Sequence, residues 1–60
     1  MPVDMSKFSE AELREDLAAS EMDAIMCERV APAHFRERID VNRKIVVAIK
    51  AELERRGLPL

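Results

Sequence analysis

Cys27 and His34 are the two side chains best suited to covalent or metal chemistry, and they lie seven positions apart. A thiol becomes a nucleophile when a base lies within hydrogen-bond reach and a third group orients that base. Glu28, Glu37 and Asp40 are close enough in sequence to serve as the acid, so a Cys–His–acid set can be written down from residue types alone. A second chemistry is metal binding by His34 and Glu37, one helical turn apart. With one Cys and one His in the whole chain, a four-ligand zinc site needs acidic residues or a second chain to complete it. Neither arrangement has a pocket to work in, because sixty residues hide only about 60% of their unfolded surface. The competing reading is a half-buried thiol and a partly exposed imidazole beside an apolar band. That reading is adopted: no catalytic residue, no metal ligand and no cofactor is assigned, and the chain is not expected to be an enzyme.

The composition sets the elements that must carry any function. The chain has 48% hydrophobic and 37% charged residues, two Phe, no Tyr, no Trp, one Gly and three Pro. A single Gly argues against strands joined by tight turns, and the abundant Ala, Glu, Arg, Leu, Met and Lys are good helix formers. A single Cys excludes an internal disulfide framework. No run approaches eighteen uninterrupted apolar residues, so no membrane span is expected, and no basic leader followed by an apolar run opens the sequence. The net charge of −2 offers no electrostatic reason for nucleic acid as the main partner. An all-α, cytoplasmic protein follows as the expectation.

Residues 1–7 carry no helical period and read as a flexible arm before a single small helical domain over 8–60. A first helix over about 9–19 has a capping box, Ser9 with Glu12 three positions on, and a staple pair in Phe8 and Leu13. Glu10 and Glu12 in its first turn suit the helix dipole. Ser20 reads as the start of a second helix over about 21–30, because that break gathers Met22, Ile25 and Met26 on one stripe. The alternative is one longer helix in which Leu13, Leu17, Ala24 and Cys27 share a face. Ala31-Pro32-Ala33 forms a hinge, and Pro32 is suited to open a third helix running to about Arg56. There Phe35, Ile39, Asn42, Val46, Ile49 and Leu53 are spaced 4, 3, 4, 3, 4 and fall within about 40° of one line. Val41 and Ile45 widen that band. The β-branched and capping-type residues of Ile39-Asp40-Val41-Asn42 leave a kink there as an alternative. Gly57 followed by Pro59, with Leu58 able to fold back on Leu53, predicts a Schellman stop.

This architecture, two short helices packed on one long one, leaves much of the apolar band uncovered. Exposed apolar patches mark association sites, so a homodimer or higher oligomer is expected. The predicted interface comprises Phe35, Ile39, Asn42, Val46, Ile49 and Leu53, with Met22 and Met26 added as adaptable contacts. Asn42 is a candidate for fixing dimer register, or else a solvated or capping residue. Arg29, Arg36, Arg38, Arg43 and Lys44 form a basic middle segment opposite an acidic stretch over 9–28. That polarity steers a partner, is satisfied within the chain, or is simply a solvated charged face.

Two short resemblances accompany this reading. Asn42-Arg43 with IVVAIKAELERRGL at 45–58, preceded by FSEAEL at 8–13 and SEMD at 20–23, resembles Sda, a small helical-hairpin inhibitor of a sporulation histidine kinase. Residues 24–41 depart from it, standing where that family has a short connection. DLAAS at 16–20 and FRERI at 35–39 followed by Arg43 resemble the theta subunit of bacterial DNA polymerase III, in which the two pieces lie much further apart. No functional residue is carried over from either. Both imply a small helical protein that acts by binding something larger. The expected function is therefore non-enzymatic protein–protein contact, as an inhibitor, adaptor or accessory subunit of a larger bacterial or phage-type assembly. The alternative is a small nucleic-acid-binding transcriptional regulator.

Overall fold

The computed structural model describes residues 4–60; Met1, Pro2 and Val3, part of the predicted arm, lie outside the described residues. A turn of 3-10 helix at Met5–Lys7 leads into two α-helices, α1 over Glu10–Val30 and α2 over Arg36–Arg55. The two helices pack against each other, and among the described residues there is no strand. The all-helical class holds; the division into two short helices and one long one does not.

The ends of α1 follow from local chemistry. Ser9 Oγ accepts from the Glu12 N–H at 3.1 Å while Glu12 Oε1 accepts from the Ser9 N–H at 3.0 Å, the reciprocal capping box. The Ser9 N–H first, and the Ser9 side chain after it, hold the Glu12 carboxyl below its ordinary range. At the far end Ala31 is pulled into an extended conformation, φ −159° and ψ 79°, as expected for a residue that precedes proline.

Between those ends α1 runs unbroken through Ser20, and this corrects the expected second helix. Ala18, Ala19, Glu21 and Met22 around it are good helix formers, and one Ser costs the helix only a few tenths of a kcal/mol. No Gly or Pro interrupts residues 8–31. The expected break rests on gathering Met22, Ile25 and Met26 on one stripe. In the fold the inward face is instead Leu13, Leu17, Ser20, Ala24 and Cys27, all buried or half-buried.

The start of the long C-terminal helix also moves. Pro32-Ala33-His34-Phe35 form a single turn closed by the Phe35 N–H on the Ala31 carbonyl at 3.0 Å. Phe35 then leaves helical geometry at φ −102° and ψ 21°, and its side chain makes no cap. The helix accordingly begins at Arg36, and it continues unbroken through Asp40-Asn42. Its stop is the predicted one. Gly57 takes φ +74°, the Leu58 N–H reaches the Leu53 carbonyl at 3.0 Å, and the Gly57 N–H reaches that of Glu54 at 2.9 Å. This is the paired bonding of a Schellman motif.

The core is small. Leu13, Ile49 and Leu53 are fully buried, with Met5, Phe8, Leu17, Ile45 and Leu58 packed around them. Arg56 ties the N-terminal segment to this end. Its Nη2 donates to the carbonyls of Phe8 at 2.6 Å and Met5 at 3.1 Å, and its Nε donates to Glu52 at 2.7 Å.

Candidate functional site

The stripe predicted as an interface turns inward. Ile39, Ile49 and Leu53 are buried, and Phe35, Asn42 and Val46 are half-buried. The helix they pack against is α1 of the same chain. Ile49 and Leu53 have no exposed surface left to offer another molecule.

Asn42 bonds within the chain. Its Nδ2 donates to Asp23 Oδ2 at 2.6 Å. Arg38 grips the same carboxylate through two bonds, Nε to Oδ2 at 2.7 Å and Nη2 to Oδ1 at 2.8 Å. Asp23 therefore sits below its ordinary pKa, through Arg38 first and Asn42 second. One turn further along α1, Glu28 pairs with Arg43. The acidic helix thus lies beside the basic part of α2, and two of the five basic-segment residues are matched across the hairpin.

Cys27 is buried in the helix–helix contact. His34 is exposed on the connection, its ring edge-on to Phe35 with centroids 4.8 Å apart. Among the described residues no group of three His, Cys, Asp or Glu is placed to hold a metal ion.

What the hairpin leaves open is the back of α1. Met22 is 60% exposed, Ile25 46% and Met26 52%, with Ala18 and Ala19 beside them also exposed. Two shallow depressions adjoin this strip on the side of Glu21 and Ile25, which both share. One of about 410 Å3 runs along α1 past Leu17, Ala18, Met22 and Ile25. The other, about 360 Å3, lies between the helices against Ala24, Ile25, Val46 and Val47, with the Glu28–Arg43 pair among its walls. Its apolar walls are aliphatic, suited to contact with apolar side chains. By contrast the outer face of α2 carries Glu37, Asp40, Lys44, Lys50 and Glu54, all exposed; Val41 and Val47 stand among them singly.

Of the predicted interface, then, only Met22 and Met26 lie on open surface. Ile25 and Ala18 were not assigned to it, although helical spacing alone places them beside Met22 once α1 is continuous. Compared with models of protein families, with curated proteins and with solved structures, the chain has no match.

Proposed function

We propose that this protein works by contact rather than by chemistry: a small helical module that binds another protein through the outer face of α1, as an inhibitor, adaptor or accessory subunit. The observation that carries this reading is that α1 is apolar on two opposite faces and α2 covers one. A bare strip of Met, Ile and Ala on a hairpin this small is therefore a surface awaiting a partner. Methionines at its centre suit a surface that must adapt to what it binds. The nucleic-acid alternative gains nothing from the charge layout, since Arg38 and Arg43 face acids of the same chain.

A photo-crosslinking residue at position 22 tests the reading in cells of the native host, with the same residue at exposed Asp40 as control. Adducts to a defined second protein from position 22 and not from 40 are expected. Equal labelling from both positions, or none from either, overturns it.

A further inference from the structure

On the outer face of α1, Glu15, Met22 and Arg29 are separated by seven residues each. Seven residues are nearly two turns and drift by only about 20°, so the three lie in one line. The acid and the base sit about 10.5 Å on either side of the methionine. All three are exposed, and among the described residues neither Glu15 nor Arg29 takes part in an ion pair. A line with opposite charges equidistant from an apolar centre is complementary to itself when reversed.

We infer that the outer face of α1 binds a second copy of this chain, antiparallel, with the two-fold axis passing through Met22. This rests on the contact reading above and names its partner. A two-fold interface is isologous: if residue i meets residue j, then j meets i. About this axis Glu15 of each copy meets Arg29 of the other, giving two ion pairs. Ala18 and Ala19 of one copy fall opposite Ile25 and Met26 of the other, small against large, so both strips fill without collision. The parallel arrangement stacks Glu15 on Glu15 and Arg29 on Arg29. Charge therefore selects the antiparallel dimer, and α1 becomes the inner layer of a four-helix assembly with the charged face of each α2 outward.

Sedimentation equilibrium on the purified full chain tests this with Glu15→Arg, Arg29→Glu, the double exchange of both, and an equimolar mixture of the two single variants. These sites are exposed and outside the core, and circular dichroism confirms that helicity is retained. Wild type is expected to be a dimer. Each single reversal turns two attractions into two repulsions and weakens self-association about tenfold. The double exchange and the mixture both recover the wild-type dimer. Met22→Asp, which sets two carboxylates on the axis, leaves a monomer. A monomeric wild type at high micromolar concentration overturns the inference, as does a dimer indifferent to the four charge arrangements. A mixture that associates more tightly than both wild type and the double exchange also overturns it, by indicating parallel pairing. Host adducts from position 22 alongside a monomeric wild type would sink this dimer and leave the contact function standing. A wild-type dimer whose adducts from position 22 join only copies of this chain keeps the inference and excludes a separate host partner.

Discussion

At the end of the hairpin that carries the chain termini, Leu13, Ile49 and Leu53 are fully buried among larger apolar neighbours, and Leu58 and Phe8 close over them. At the connection end the buried residues are Ala24, Cys27 and Ile39, and the cross-helix bonds end on carboxylates, Asp23 with Arg38 and Asn42, and Glu28 with Arg43. One end is held by the removal of aliphatic surface from water, the other by small residues and paired charges near solvent. The first mechanism stabilises by about 25 cal/mol for each Å2 of apolar surface buried. Ion pairs as exposed as those at the connection end contribute about 0–1 kcal/mol each. Most of the stability therefore resides near the termini, and the connection end contributes alignment.

The contrast can be broken from either side. Leu53→Ala is expected to have the largest effect, about 2–5 kcal/mol from lost burial and the cavity left behind. In a domain this small that is enough to leave much of the chain unfolded, read as loss of helical circular dichroism at 25 °C. Acid comes next. Arg55 first, and then Arg56, hold the Glu52 carboxyl down at about 2 from an ordinary 4.5. Because the folded value is the lower one, the stabilisation is complete above about 4.5 and fades as the pH falls towards 2. Glu52→Gln should melt below wild type at neutral pH, and the difference between the two melting temperatures should close across that window. A difference independent of pH would show that packing, not charge, holds this residue.

Gly57→Ala is expected to destabilise by about 1 kcal/mol. A Cβ there meets nothing within 4 Å, so the effect comes from the positive φ of +74° alone. Chemical denaturation should detect it, and no change would mean that the Schellman stop contributes nothing to the terminal end. Asp23→Ala, at the connection end, should be the smallest at about 0.2–1 kcal/mol, and smaller still in high salt. A loss comparable to Leu53→Ala would reverse the ranking of the two ends.

Much of this was legible in local sequence. Ser9 with Glu12, Ala31 before Pro32, and Gly57 with Leu58 each fix one backbone feature through bonds or steric limits that span only a few residues. The apolar spacing from Ile39 to Leu53 identified the buried face of α2 for the same reason. The reading failed where residues of the right type had two possible positions. Ser20 is a capping residue in isolation and a tolerated interior residue when its neighbours are Ala, Glu and Met. Pro32 does open a turn, but Phe35 closes it before α2 begins.

The candidate surface was less legible than the fold. The stripe from Phe35 to Leu53 read as an interface because the helices meant to cover it were counted as short. A continuous α1 of 21 residues supplies that cover, and the unpartnered apolar surface moves to Met22, Ile25 and Met26. The sequence by itself determined the helical class, the start of α1, the stop of α2 and the inner face of α2, because capping and helical periodicity act over one or two turns. Only the tertiary structure decided which of α1's two apolar faces is inside. Leu13 and Leu17 face α2 because there they pack with Ile49 and Leu53, and the small Ser20, Ala24 and Cys27 carry the same face on towards the connection. That depends on the shape of a partner thirty residues away in the chain, which no local pattern in α1 contains.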